Sequence, residues 1–400
     1  MRTYPILGED NRGVNKLGEV VTTPIRSIAR EAQQVWDNPT PINIISAPWR
    51  VVNDVAHNNP VVGHIIDTID GALHPVADRS TWMGDHRDWL GGKRINQISL
   101  PGTHDAGTFD LSLNKSSDAA SLVGELSKYP LTSGVIRSWA KTQSLTFTGQ
   151  LYAGVRFFDL RIGVSLNDDD RSLRFVHSVE SNDTVRSLLE PMGTWMREHK
   201  DELIILDVQH LYNFDSHATK YDDLLTTFRD IFGSLLVPWS YFKEEKPFAS
   251  YISSGKRVIL LLPPAPAGST PKIDFWVRGE SFKSKWFPDA KTIDDLALEV
   301  RTNEIATRLG TENKIHGFGM GLSPPESPSS FGEGLAYGTM SLKQWGPDRN
   351  NHRVKSLLEQ MDLKGRGWII CMDFIETDDK FGDKVPNSDV IDYTISLNNF

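Results

Sequence analysis

Hydrophobic positions along the chain follow two rhythms. Over the first ninety residues they recur three and four apart: Ile25, Ile28, Ala32, Val35 and Trp36, then Val51, Val52 and Val55, then Val61, Val62, Ile65, Ile66 and Ile69. That spacing puts them on one face of helices. Pro24, Pro41, Pro48, Pro60 and Pro75 keep those helices short. Such an extension packs on the domain that follows or lies on a membrane surface; for the second reading the polar faces carry few Lys and Arg. From Lys93 the rhythm changes to short apolar runs, predicting strands at Ile95–Leu100, Val155–Ile162, Arg174–His177, Leu203–Val208, Val258–Leu262, Ile315–Met320 and Trp368–Phe374. Helices are predicted between them at Val185–His199, Ala218–Phe232, Ile293–Leu309 and Leu342–Met361.

Alternating strands and helices imply βα units and a parallel sheet. About eight strands over roughly 300 residues suit a closed (β/α)8 barrel better than an open doubly wound sheet. A dinucleotide fold would want G-x-G-x-x-G after its first strand, and the chain has none there. The predicted organisation is a helical extension over residues 1–90 and an α/β barrel over residues 91–400. Gly317–Gly338, rich in Gly, Ser and Pro, reads as a long loop able to act as a lid.

Composition narrows the function. With 43 basic and 52 acidic residues the chain is acidic, which argues against a protein built to coat nucleic acid. One cysteine, Cys371, allows neither an internal disulfide nor a cysteine-based zinc cluster. A reducing compartment is the simpler reading, although many exported enzymes also lack disulfides. The first twenty residues have no apolar h-region. The longest apolar stretch, Val258–Ala267, is interrupted by Pro263, Pro264 and Pro266, and a spanning helix needs about 20 apolar residues. The expectation is a chain without a transmembrane segment, cytoplasmic or peripheral to a membrane.

Barrel enzymes gather their chemistry at the C-terminal ends of the strands. There the sequence offers His104 and Asp105 in ISLPGTHDAGT, Asp159 and Arg161 in FFDLR, His177 in RFVHS, Asp207 in LIILDV and Asp373 in WIICMDF. Asp159 and Arg161 lie two apart, so on a strand both face one side. Singly, each has an ordinary explanation: a hydrogen-bonded histidine, an Asp–Arg ion pair, an aspartate capping a helix. Together at successive strand ends they suit phosphoryl transfer by general acid and base. His57 and His64 lack a third ligand at metal spacing. No G-x-S-x-G elbow, Walker A loop or EF-hand loop is present. Trp239, Tyr241, Phe242, Trp276 and Trp286 are core residues or, on the less common reading, interfacial anchors.

The stretches NQISLPGTHDAGT, GQLYAGVRFFDLRI, FVHS and HKDELIILDVQ, with FWVRGESFKSKWFPDAKTIDDL, GLSPPE and WIICMDF downstream, resemble the phosphatidylinositol-specific phospholipase C X-domain family from about Lys93 to Phe400. The resemblance implies a distorted TIM barrel that cleaves the phosphodiester of phosphatidylinositol, or a glycosylated relative, to diacylglycerol and inositol 1,2-cyclic phosphate. It implies that His104 is the general base, His177 the general acid, Asp373 the carboxylate orienting the base, Arg161 the cation facing the phosphate, and Asp105 an aid to leaving-group protonation. Asp159 is implied to hold Arg161, and Asp207 to line the inositol pocket. The calcium-dependent branch has Glu-x-Asp where Asp159 and Arg161 stand and Asn at Asp105. This chain therefore resembles the small metal-independent type, with a calcium-using branch of Asp-rich sites as the alternative. Rival functions are a related barrel phosphodiesterase of the glycerophosphodiester or sphingomyelinase D type, and a head-group-binding X-domain without turnover. The oligomeric state is not encoded in any motif.

Overall fold

The structure is a computed structural model of the 400-residue chain. It describes residues 78–119, 136–265, 273–285, 290, 292–304, 313–322, 341–342, 347–361, 363–375 and 388–400. The predicted N-terminal helices up to residue 77, His57, His64, Trp286 and most of the proposed lid lie outside the described residues.

Eleven strands are described: β1 (Leu100–Thr103), β2 (Leu111–Lys115), β3 (Phe157–Val164), β4 (Leu173–His177), β5 (Val179–Ser181), β6 (Ile204–Tyr212), β7 (Val258–Leu262), β8 (Trp276–Val277), β9 (Phe282–Lys285), β10 (Ile315–Gly319) and β11 (Ile369–Met372). Eight of them run parallel in the order β9-β10-β11-β1-β3-β6-β7-β8 and curl into a distorted barrel. Among the described residues no pairing joins β8 to β9, so the wall is open at that seam.

Strand period decides what the barrel encloses. Phe157, Leu203, Ile205, Ile259, Leu261, Ile369 and Cys371 pack together in one apolar cluster. Their neighbours Phe158, Ile204, Leu206, Val258, Leu260, Ile370 and Met372 pack against the surrounding helices in another. Alternate residues face opposite sides of a strand. The interior set therefore continues upward to Asp159 and Arg161 on β3, Asp207 on β6 and Asp373 beyond β11. On β1 the same face reads Leu100, Gly102, His104. Gly102 is needed for close approach: a Cβ there would stand 2.6 Å from Cys371 Sγ and 3.1 Å from Phe157.

The outer helices Val185–Glu198 and Thr219–Phe232 match the predicted ones closely, with Thr184 capping the first by accepting the Ser187 N–H. The short helices Trp82–Asp85 and Arg87–Leu90 bring Trp82, Met83 and Leu90 into the interior cluster. Beneath the barrel, Arg156 is wholly buried, paired with Glu202 at 2.6 Å and flanked by the rings of Trp82 and Trp195.

Three expectations need correction. Ile95–Gln97 is a 3-10 turn and the first strand begins at Leu100, because the Pro101–Gly102 pair that looks like a turn is accepted inside the parallel ladder. The third predicted strand, β4, is not a barrel strand. It pairs antiparallel with the outer half of β3 and with β5, and β5 with β2, forming a side sheet. The helix predicted from Ile293 is α-helical to Glu299 and continues as a π-type turn through Glu304. The core reading of the aromatic residues holds at Trp276, which is fully buried, with Trp239 and Phe242 packed against it.

Candidate active site

β3 is the organising element of the mouth. Its first residues, Phe157 and Phe158, pair with β1, and Ile162–Val164 pair with β4. Between the two partners β3 exposes one edge at Asp159–Arg161. The turn after β1 fills that gap: Ala106 N–H donates to the Asp159 carbonyl at 2.8 Å, and Asp105 N–H to Asp159 Oδ2 at 3.3 Å. This fold-back places His104 and Asp105 over Arg161 and brings His177, at the end of β4, to the same spot.

His104 lies at the centre and is nearly buried. Its Nδ1 is 2.8 Å from Asp373 Oδ1, and its Nε2 is 2.9 Å from Arg161 Nη2. A guanidinium can only donate, so Nε2 accepts and Nδ1 carries the proton, which it gives to Asp373. Burial, Arg161 and His177 outweigh the attraction of Asp105 and push the His104 imidazole down to about 3. At neutral pH it is an uncharged base with its lone pair toward the mouth.

Asp105 bridges the remaining groups. Its Oδ1 is 2.5 Å from Arg161 Nε, and its Oδ2 is 3.2 Å from His104 Nε2 and 3.5 Å from His177 Nε2. His177 Nδ1 donates to the Ala140 carbonyl at 2.6 Å, which turns its Nε2 inward. The two imidazole rings meet edge to face with centroids 6.1 Å apart. Burial pushes the Asp373 carboxyl up to about 7. Burial and the adjacent Asp105 raise Asp159 well above the usual carboxylate range. Burial opposes the charge on Arg161, but Asp105 and Asp159 more than offset it and the guanidinium is held more tightly protonated than usual.

His104, Asp105, Asp159, Arg161, His177 and Asp373 are thus brought together. The residue that grips Arg161 most closely is Asp105; Asp159, expected to hold it, stands 3.9 Å from Nη2. Asp207 is level with Asp159 on the neighbouring strand and is engaged elsewhere. It takes both Nε and Nη2 of Arg278, at 2.6 and 3.0 Å. Arg278 had no signal in the sequence beyond a charge after a two-residue strand. Thr142 and Gln143, which contact the backbone of His104, were likewise unmarked, sitting in the polar stretch KTQS between elements.

Three backbone positions flanking the site have left-handed φ: Asp105 (42°), Ser178 (64°) and Phe374 (47°). Aspartate tolerates this region, but a phenylalanine there is costly and persists only where its surroundings fix it. Phe374 donates its N–H to the Thr142 carbonyl at 2.7 Å, and its ring packs with Trp139 and Leu342.

Ligand atoms of His104, Asp105 and Asp159 lie within 4.8 Å of one another, the spacing of a metal triad. The Arg161 guanidinium occupies the corner of this triad, 2.9 Å from the imidazole nitrogen and 2.5 Å from the Asp105 carboxylate. A divalent ion at that place would meet a fixed positive charge, so the set as folded does not suit one.

No family model matches the chain. The solved phosphatidylinositol-specific phospholipase C of Staphylococcus aureus, as its F249X mutant, has the same fold, with a TM-score of 0.51 at 16% identity over 80% of this chain and 99% of that one.

Among curated proteins, the chain is similar to PI-PLC X domain-containing protein 3 of Danio rerio, 34% identical over 173 residues, which are 41% of this chain and 51% of the relative. It is also similar to PI-PLC X domain-containing protein 1 of Homo sapiens, 33% identical over 195 residues, 47% of this chain and 58% of the relative. The chain spans about half the length of the curated relatives it matches. The resemblance drawn from the motifs therefore holds in sequence and in fold. No helix of the described residues is long and apolar enough to cross a membrane.

Proposed function

We propose that the chain cleaves phosphatidylinositol-type lipids, or glycosylated relatives, at a membrane surface without a metal ion. The observation that carries this reading is the contact chain Asp373–His104–Arg161, with His177 facing the same space across Asp105. A phosphate entering the mouth competes for Arg161, whose release from His104 Nε2 frees the lone pair of the base. His104 then takes the proton of the inositol 2-hydroxyl, and that oxygen attacks phosphorus. The new P–O bond closes the cyclic phosphate as the bond to the diacylglycerol oxygen breaks. His177, protonated on Nε2, gives its proton to the departing oxygen.

Asp373 holds the base in its Nδ1–H tautomer, and Asp105, 3.2 Å from Nε2, stabilises the imidazolium that forms. Arg161 supplies to the phosphorane oxygens the fixed positive charge that a metal supplies in other phosphodiesterases. Asp159 contributes by anchoring the turn that carries Asp105. Asp207 and Arg278, one strand away, offer an acceptor and a donor fork for the head group.

Incubation of the protein with phosphatidylinositol vesicles, followed by phosphorus NMR, tests the reading. The expected product is inositol 1,2-cyclic phosphate, absent with His104→Ala and with His177→Ala although both variants stay folded. Full activity in either variant removes the two-histidine mechanism. A non-cyclic product from a different lipid selects the glycerophosphodiester type, and vesicle binding without turnover selects a head-group-binding protein.

A further inference from the structure

The two imidazoles come from different sheets: His104 follows barrel strand β1 and His177 ends side-sheet strand β4. Something must fix their separation. The segment from Ala140 to Gln143 touches the backbone or side chain of His104, Asp105 and His177 and the residues on either side of Asp373. Ala140 accepts the His177 Nδ1–H through its carbonyl. Thr142 Oγ1 lies 2.9 Å from the His104 carbonyl and 3.2 Å from that of Asp105, and the Thr142 carbonyl accepts the Phe374 N–H just beyond Asp373. Gln143 closes the set: one amide nitrogen donates to the His104 carbonyl at 3.1 Å and to the Met372 carbonyl at 2.8 Å.

The two carbonyls bridged by Gln143 mark the ends of adjacent strands. β1 and β11 are in register at Thr103 and Met372, and the last ladder bond runs from His104 N–H to the Met372 carbonyl at 3.2 Å. Beyond it the ladder ends, and the His104 carbonyl is taken instead by Thr142 Oγ1 and the Gln143 amide. Gln143 is fully buried and replaces the missing ladder. Its orientation follows from chemistry: with two carbonyls on one side, that side must be the NH2 group.

We propose that Ala140–Gln143 is a strap that sets the spacing of base and acid, and that Gln143 is a positioning residue for the His104–Asp373 pair. This rests on the reaction proposed above for the roles of those groups. Gln143 touches no reacting atom. It joins the peptide after His104 to the peptide before Asp373 and so fixes the 2.8 Å contact between their side chains. A displacement of about 1 Å in such a pair costs on the order of 100-fold in rate.

The test compares the full-length wild type with Gln143→Met, which keeps the side-chain length without the amide, and with the milder Thr142→Val. Two readouts are taken on folded protein. One is kcat and KM on phosphatidylinositol vesicles; the other is the low-field proton resonance of His104 Nδ1–H, assigned by its loss in His104→Ala. The strap predicts kcat lowered about 10- to 100-fold with KM unchanged in Gln143→Met, a smaller loss in Thr142→Val, and the resonance moved or broadened in both. Variants that only melt earlier, with kcat per folded molecule and the resonance as in wild type, overturn it. Wild type without turnover on phosphatidylinositol refutes the proposed reaction instead, and an unmoved resonance in Gln143→Met then still refutes the strap.

Discussion

Replacing Asp373 by Asn tests the electrostatics of the site and the orientation of its base in one variant. In the folded protein the Asp373 carboxyl is buried and lifted from 3.8 to about 7. A carboxyl whose folded value is raised binds its proton more tightly folded than unfolded. Its contribution to stability is fully present below about pH 4 and is lost as pH rises through about 7. The loss is about 1.4 kcal/mol for each unit of the shift, or about 4 kcal/mol once the group is ionised in both states. Asparagine carries no such penalty. Asp373→Asn should match the wild type in stability at pH 4 and exceed it by about 2–4 kcal/mol at pH 8.5, read from urea midpoints at the two pH values.

The same change should disable the base. The side-chain amide introduced by Asp373→Asn can turn its NH2 toward His104 Nδ1 and force the proton onto Nε2, where the Arg161 N–H points. Loss of the carboxylate behind a general-base histidine costs about 10⁴-fold in kcat in the serine proteases, and a drop of about 10³–10⁴-fold is expected here. A variant more stable at alkaline pH and nearly inactive supports the reasoning. A stability difference that is zero, or equal at both pH values, refutes it.

Other outcomes follow from the same geometry. Arg161→Lys keeps the charge but loses the fork that spans Asp105 Oδ1 and His104 Nε2, and turnover should fall about 100- to 1,000-fold; retention of most activity in a vesicle assay contradicts the role given to the guanidinium. Chelation with excess EDTA should leave the wild-type rate unchanged, whereas activity lost on chelation and restored by calcium shows that Arg161 does not stand in for a metal. Glu202→Gln removes the charge from a carboxylate that accepts two N–H groups of Arg156 and the backbone N–H groups of Met83 and Gly84. It should cost about 3–5 kcal/mol in a denaturant titration while turnover per folded molecule stays as in wild type.

Much of the barrel was readable in the chain because it rests on local periodicity. The runs at Phe157–Val164, Ile204–Tyr212, Val258–Leu262 and Ile369–Met372 fell where apolar residues cluster, and the helices Val185–Glu198 and Thr219–Phe232 followed their 3.6-residue period. The residues of the candidate site, His104, Asp105, Asp159, Arg161, His177 and Asp373, were legible as polar residues interrupting apolar strand ends, and the two-residue spacing of Asp159 and Arg161 placed them on one face.

Strand direction was not legible. β4 looks like any barrel strand, yet it turns back along β3 because β1 ends at Thr103 and leaves the outer edge of β3 free. Nor could the chain show that Asp105 rather than Asp159 grips Arg161, that Asp207 is engaged by Arg278 some seventy residues later, or that Gln143, beside His104, reaches Met372 across 229 positions. The sequence by itself determined which residue types stand at the strand ends and how each strand alternates, since both depend on neighbours a few bonds away. Which groups meet, and at what distance, was decided by tertiary structure alone: hydrogen bonds and ion pairs between remote residues depend on the curled path of the barrel, and no local window of the chain contains that path.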